Sequence, residues 1–286
     1  MSEQVNSGKL YIVATPIGHR QDMTFRAVEV LKSVDWIACE DTRHSRPLLQ
    51  FYEVTTNLMA LHQHNESQRS STVLQYLREG KDVALISDAG TPLVSDPGAR
   101  LVAHVIDAGL EVVPIPGACA AITALSASGL WSDEFVFVGF LPSKGARREE
   151  ILGKILNEPR TIVLYESVHR ISLLLSQLKL MLNEGRQLVI ARELTKRFEA
   201  FLRGTVDDVV KAFESDPSTL KGEFVVLIEK SPLNRDDIDQ CEQERVLALL
   251  LEECTPRTAS RLAAKITGGS KNTLYRLAIE QSAKEK

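Results

Sequence analysis

Residues 86 to 98 read ISDAGTPLVSDPG. The stretch sets the carboxylates of Asp88 and Asp96 and the hydroxyls of Thr91 and Ser95 among Gly90 and Pro92, directly after the apolar run Val83 to Ile86. Almost nothing in it is bulky enough to pack, so it reads as a loop that lets backbone come close to a ligand. Asp88 suits an ammonium group or a ribose hydroxyl. Two further loops follow the same design: Pro16-Ile17-Gly18 after Leu10 to Val13, and Pro116-Gly117-Ala118 after Glu111 to Ile115. One such loop says little, because ordinary turns also need Gly and Pro. Several at the carboxyl ends of strands are consistent with one shared crevice, since open α/β sheets bind ligands there. Backbone amides, small residues and few acids suit a neutral or zwitterionic ligand with a nucleoside and a sulfonium. The residues alone stop at a small-ligand crevice between two α/β halves.

Other chemistries lack their residues. GxGxxG, GxxxxGK[ST], HExxH and GxSxG are all absent, which leaves no dinucleotide fingerprint, phosphate loop, zinc helix or hydrolase elbow. His62 and His64 stand two apart, a spacing commoner in polar surface pairs than in metal sites. Cys39, Cys119, Cys241 and Cys254 are scattered with no CxxC, as reduced thiols of a cytoplasmic protein would be. The N-terminus has no basic segment followed by a long apolar stretch, so no signal peptide is expected. No apolar run reaches the ~18 residues that span a bilayer, and no membrane partner is expected. A net charge of -4 advertises no global field for nucleic acid, so any such site must be a local patch.

The elements that position these loops alternate along 286 residues, 44% of them apolar. Strands are expected at Leu10 to Val13, Trp36 to Cys39, Leu58 to Leu61, Val83 to Ile86 and Glu111 to Ile115. Helices are expected at Thr24 to Lys32, Ser67 to Glu79 and Ala99 to Ala108. Several strands are apolar throughout, as strands buried on both faces of a parallel sheet are. Residues 1 to 116 therefore read as one α/β domain. Residues 117 to 230 read as a second, with strands near Phe135, Ile162, Leu188, Ala200 and Phe224 and more hairpin-like spacing towards its end. Residues 231 to 286 differ: an acid-rich stretch precedes a helical, basic one. Two short helices there flank Thr267-Gly268-Gly269-Ser270, the outline of a helix-turn-helix and equally of an ordinary helical hairpin.

The motifs are jointly recognisable. GKLYIVATPIGHRQDMT, IACEDTRHSRPLL, ISDAGTPLVSDPG, PIPGACAAITALSASGL, FVFVGFLP, TIVLYESVHRI, ARELTKRFE and KGEFVVLIE occur in this order. Together they resemble the tetrapyrrole methylase superfamily of S-adenosylmethionine-dependent methyltransferases, over nearly residues 8 to 230. Within it they are most similar to the branch acting on small-subunit ribosomal RNA, whose pattern the tail also fits. The resemblance implies two α/β domains with S-adenosylmethionine folded into the cleft between them, plus a small helix-turn-helix-like tail, in a homodimer. It implies methylation of the ribose 2'-hydroxyl of a decoding-region cytidine, cytidine 1402, in 16S ribosomal RNA. By motif, Pro16 and Gly18 would floor the cleft, and Asp88, Gly90, Thr91 and Pro92 would form the cofactor loop with Ser95 and Asp96. Ala118, Cys119 and Ala120 would meet the methionine part; Cys119 stands where relatives often carry Ser. Leu141, Tyr165 and Ala191 would line the adenosine pocket, and Gly222, Glu223 and Phe224 would close it.

Methyl transfer to a hydroxyl is an in-line displacement, with the oxygen about 3 Å from the methyl carbon. A base that takes the proton helps by roughly 10²- to 10⁴-fold. Candidates are Glu193, Glu166 and Lys196, with Glu223, Asp41 and His169 behind them; a seam salt bridge is the alternative for any one of these acids. Arg43, Arg46, Lys144, Arg147, Arg148 and Arg192 are candidate RNA-backbone contacts at the rim. Arg257, Arg261, Lys265, Lys271 and Arg276 would make the tail an RNA-docking module. Two other functions use the same fold: a methyltransferase of a small tetrapyrrole or a protein, and a non-catalytic RNA-binding assembly factor. The basic tail argues against a small-molecule substrate.

Overall fold

The computed structural model describes residues 7–182, 185–215, 221–231 and 235–284, and side chains throughout except at 235–241 and 280–284. The two ends of the chain, 1–6 and 285–286, fall outside this description, although the expected first domain and tail include them. Each half of the chain is built on one sheet. In the first half, β1 (Leu10–Val13), β2 (Trp36–Cys39), β3 (Asn57–Ala60), β4 (Val83–Ile86) and β5 (Val112–Ile115) lie in the order β3-β2-β4-β1-β5. All of its pairings are parallel. The uniformly apolar β4 is buried at every residue, as a central parallel strand covered on both faces should be. Pro114 sits in β5 at the sheet edge, where its missing N–H breaks no ladder.

The crossovers are α1 (Phe25–Ser33), α2 (Thr42–Phe51), α3 (Glu66–Arg78) and α4 (Ala99–Asp107). α2 is not among the helices expected from the pattern, although Arg43 and Arg46 could open one, and Pro47 lies inside it. Asp41 starts it by accepting the Arg43 N–H at 2.8 Å. Glu66 on α3 caps α4, accepting the N–H groups of Arg100 and Leu101. That contact fixes where the loop 88–98 must end.

In the second half, β6 (Phe135–Phe140), β7 (Thr161–Ser167), β8 (Gln187–Arg192), β9 (Ala200–Thr205) and β10 (Glu223–Ile228) lie in the order β6-β7-β10-β8-β9. β6 and β7 pair in parallel, and the other pairings are antiparallel. The helices α6 (Ala146–Leu156), α7 (Ile171–Met181) and α8 (Val206–Ser215) share one core with the sheet. The other face packs against α5 (Ala120–Ser126), the helix that leaves the first sheet. Ile17 of the first half and Ala121, Ala124, Val163, Val189, Leu194 and Val225 form one buried cluster across this seam.

The last unit has three helices: α9 (Arg235–Glu253), α10 (Pro256–Thr267) and α11 (Lys271–Lys284). Val246 and Leu247 of α9 pack against Ala259, Ala263, Leu274 and Ala278. The acid-rich stretch is thus the first helix of the unit. Pro256 opens α10, and Gly268 ends it in the left-handed conformation at φ 76°. No helix among the described residues is long and apolar enough to cross a membrane.

Candidate active site

Three loops at the carboxyl edge of the first sheet are stitched together by backbone. Thr15 and Gly90 exchange N–H···O bonds of 2.9 and 3.0 Å. The Ser87 hydroxyl donates to the Gly90 carbonyl at 2.9 Å, and the Thr91 hydroxyl donates to the Ala118 carbonyl at 2.9 Å. Gly90 stands at φ 84°, and a Cβ there would come within 3.3 Å of Ile17 Cγ2. Gly117 lies so close to β1 that a Cβ would sit 2.8 Å from that of Ala14. Both glycines are required by these approaches. Leu93 and Ser95 also have positive φ, 72° and 67°, an uncommon conformation for residues with side chains.

The second half closes over this edge. Tyr165 on β7 accepts the Ala121 N–H of α5 at 3.1 Å. Its ring stands edge-on to Phe137 and Phe140. Between the halves lies a cavity of about 370 Å³, a size that fits a small ligand. Asp88, Gly90, Thr91, Ser95, Asp96, Cys119, Ala120, Tyr165, Glu166, Glu223 and Phe224 line it, with Ile17, Val94, Phe140, Ser167, Leu194 and Val225 among the other walls. Four acidic residues border it, Asp88, Asp96, Glu166 and Glu223, and among the described residues no Lys or Arg does; the Glu166 carboxylate is buried against Arg148 and Arg170, and that of Glu223 meets Lys196 Nζ at 2.9 Å. This is more acidic than the expected few acids, because the loop before α4 and the start of β10 fold over the same space. Burial, with the charges of Glu40 and Asp88 nearby, pushes the Asp96 carboxyl up to about 6. Burial also raises the Tyr165 hydroxyl, followed by the charge of Cys119.

Several expected site residues stand elsewhere. Pro16 is buried beneath the floor and Gly18 faces away, so the side chain between them, Ile17, lines the cavity. Pro92 and Ala118 are not wall residues; Ala118 serves through its carbonyl. Leu141 is in the core on the far face of the second sheet and Ala191 in the seam cluster, both behind the wall. Gly222, at φ 100°, leaves room for the Glu193 carboxylate, which a Cβ would strike at 2.5 Å.

The proposed bases are also corrected. Glu166 borders the cavity, but its carboxylate is fully buried between Arg170 Nε at 2.9 Å and Arg148 Nη1 at 3.7 Å. The same two arginines donate to the Leu141 and Pro142 carbonyls, so Glu166 holds the chain corner after β6. Arg148 is therefore no RNA contact at the rim: it is 2% exposed. Helical geometry turns it inward while its neighbour Arg147 stays exposed. Glu193 lies outside the lining and accepts from Lys196 Nζ at 2.9 Å and the Glu223 N–H at 3.0 Å. Burial alone would raise its carboxyl, but those two hydrogen bonds and the charges of Lys196 and Arg192 outweigh it, leaving a poor base. Burial lowers the Lys196 ammonium, and Glu223 and Glu193 more than restore it, so it stays protonated.

The other cationic candidates lie at the surface. Arg43 is 90% exposed along its side chain, though bidentate to Asp41. Arg46, Lys144, Arg257, Arg261, Lys265, Lys271 and Arg276 are exposed. Arg192 is half-buried and donates to the Lys221 carbonyl at 2.7 Å.

A second cavity of about 440 Å³ opens on the other side of the Ile17–Gly18 segment. Gly18, His19, Arg20, Gln21 and Phe51 supply one wall, and Thr195, Lys196 and Arg197 the other. The His19 N–H donates to the Thr195 hydroxyl at 3.0 Å, which joins the walls. A Cβ on Gly18 would lie 2.6 to 2.9 Å from Lys196, Thr195 and the Leu194 carbonyl.

The family model of Tetrapyrrole (Corrin/Porphyrin) Methylases matches residues 9–210, and that of the RsmI C-terminal HTH domain matches residues 237–282. The chain belongs to the tetrapyrrole methylase family. It is 48% identical to Ribosomal RNA small subunit methyltransferase I of Escherichia coli O157:H7 over 96% of both chains. It is 44% identical to the protein of that name from Pseudomonas aeruginosa, over 98% of this chain and 100% of the other. The uroporphyrin-III-C-methyltransferase of Thermus thermophilus shares the fold at TM-score 0.56 and 22% identity, covering 78% of this chain and 94% of that one. Diphthine synthase shares it at TM-score 0.62 and 12% identity, covering 82% and 94%.

Sequence reasoning about this tetrapyrrole methylase missed Arg20, Phe51 and Arg197. Arg197 lies within the ARELTKRFE block and Arg20 within GKLYIVATPIGHRQDMT, a signal of position that was there to find. Phe51 had none, because no expected element extended to it.

Proposed function

We propose that this tetrapyrrole methylase transfers the methyl group of S-adenosylmethionine to the ribose 2'-hydroxyl of a decoding-region cytidine, cytidine 1402, in 16S ribosomal RNA. The observation that carries the reading is a cavity of the right size and charge at the seam of a chain 48% identical, end to end, to Ribosomal RNA small subunit methyltransferase I. Asp88 and Asp96, in a lining that has no Lys or Arg among the described residues, favour a cation and disfavour a phosphate. A sulfonium nucleoside with an amino acid tail is such a cation, and the cradle at Gly90 leaves the room a side chain would fill. The protein would work in the cytoplasm as a homodimer, on the RNA within the small ribosomal subunit.

When bound, S-adenosylmethionine supplies an electrophilic methyl group on a good leaving group. Asp88 sits beside the strand end to accept hydrogen bonds from an ammonium or a ribose. Phe140 and Tyr165 offer flat apolar faces to an adenine. Glu166 keeps that wall in place through Arg148 and Arg170. Asp96 is the lining carboxylate held near neutral pH, so it takes the hydroxyl proton as the oxygen attacks. The exposed cations of α10 and α11, with Arg43, Arg46, Lys144 and Arg147, meet phosphates of the RNA and hold it in register.

The test uses purified protein, isotope-labelled S-adenosylmethionine and small subunits from cells lacking the protein. Mass spectrometry of the digested RNA is expected to find one labelled methyl on a cytidine ribose. Label on a base, or no label in RNA, overturns the reading.

A further inference from the structure

The second cavity has the opposite chemistry to the first. Its lining includes Arg20, Lys196, Arg197 and His19 and no carboxylate. Lys196 is engaged by Glu193 and Glu223 behind it. Among the described residues neither Arg20 nor Arg197 forms an ion pair; each lies over an exposed ring, Arg20 5.4 Å from the centre of Phe51 and Arg197 5.5 Å from that of Phe198. Phe51 is 49% exposed and Phe198 63%. Exposed aromatic rings held beside unpaired guanidinium groups are the elements that single-stranded nucleic acid uses, a π-face for a base and a cation for its phosphate.

The walls are built rather than incidental. Glu193 and Thr195 adopt positive φ, 49° and 62°. This strained turn is held by the Glu193 N–H to the Glu223 carbonyl, the Lys196 N–H to the Glu193 carbonyl and the Thr195 N–H to Glu199 Oε2. The turn places Lys196 and Arg197 in the lining that Arg20 shares. The cavity also backs onto the cofactor cavity: Ile17 and Leu194 line one, and their chain neighbours Gly18 and Thr195 line the other.

We propose that this second cavity is a binding site for single-stranded RNA, seating a phosphodiester between Arg20 and Arg197 and a base against Phe51, one step along the strand from the ribose presented to the cofactor cavity. The assignment rests on RNA being the substrate. A small tetrapyrrole would need no such site beside the cofactor.

The test measures binding of a mixed-sequence, single-stranded RNA oligonucleotide by fluorescence anisotropy across a salt series, without any reaction. In the Arg20→Glu/Arg197→Glu variant, affinity is expected to fall at least about tenfold. The slope of log K against log salt should shrink by about 0.7 for each phosphate released. Phe51→Ala should weaken binding by about five- to a hundredfold, the range of one lost stacking contact. S-adenosylmethionine affinity, measured by calorimetry, should stay as in the unaltered protein, which also shows that the variants fold. Unchanged RNA affinity and salt slope would overturn the proposal. So would a change in the oligomeric state of the variants on sizing, which would mark the cavity as a contact between copies of this chain. Methyl transfer by the unaltered protein is scored separately, so a wrong substrate and a wrong docking site give different results.

Discussion

Two cavities share one wall of backbone, yet among the described residues one is bordered by Asp88 and Asp96, with the paired acids Glu166 and Glu223, and by no Lys or Arg, the other by two arginines, a lysine and a histidine with no carboxylate. Under the proposed function, the contrast teaches how one enzyme can bring together a cationic donor and a polyanionic acceptor without either occupying the other's place. At short range in a partly dry site, a single misplaced charge is worth about 4 kcal/mol at 4 Å, far more than a contact of neutral groups. Under the proposed function, each cavity would reject the other's ligand mainly by charge. Shape adds less, since both spaces are of similar volume.

The sharpest way to break the contrast is to put a cation in the acidic cavity. Asp88→Lys is expected to weaken S-adenosylmethionine binding by on the order of a thousandfold, from loss of one attraction and gain of one repulsion. Titration calorimetry measures it, and RNA affinity should not fall. A normal affinity for S-adenosylmethionine would remove Asp88 from the site.

Asp96→Asn comes next. It keeps the shape and removes the proton acceptor, so turnover should drop about a hundredfold at pH 7.5. In the unaltered protein, turnover should rise with pH through about 6, as Asp96 ionises; the variant should lose that rise. Stability gives an independent check with a definite sign. The folded carboxyl binds its proton more tightly than the unfolded one, whose ordinary value is about 3.9. Its contribution to stability is therefore full below pH 4 and is lost as pH climbs from 4 through 6. Above pH 6 the buried charge is a net burden, so Asp96→Asn should melt slightly higher at pH 7.5 and no higher at pH 4. A lower melting point at pH 7.5 would mean that the carboxylate is paired rather than strained.

The smallest effect, about tenfold, is expected for Gly18→Ala. A methyl there meets Lys196, Thr195 and the Leu194 carbonyl at under 3 Å, so the turn opposite must shift. RNA affinity should fall by that factor, because the displaced turn carries Arg197. S-adenosylmethionine affinity should change less, since the cofactor cavity meets this wall only through Ile17 and Leu194. An effect confined to the cofactor would show that the shared wall serves the other cavity.

Much of this was legible in the sequence wherever one short stretch holds both the structural rule and the chemistry. The apolar runs announced the parallel sheet, and the glycine loops announced the carboxyl edge as a ligand face. Pro256 and Gly268 marked the bounds of α10. What stayed hidden depended on which way a side chain turns. Arg147 and Arg148 are neighbours of one type, and only the position of Glu166, on a strand of the opposite layer, decides that the second is inside. Glu166 and Glu193 look like any acid past a strand end; their arginine and lysine partners take them out of contention as bases. The cationic cavity was least readable of all, because Arg20, Phe51 and Arg197 come from three separate segments and no local pattern links them.

The bond from His19 to Thr195 closes the partition between the two spaces with main chain on one side and a short hydroxyl on the other. A divider tied in this way would set the interval between the proposed phosphate seat and methyl donor by the scaffold. Under the proposed reading, the enzyme gauges its target by distance along the strand, as a ruler does, and leaves the identity of the neighbouring bases largely unread.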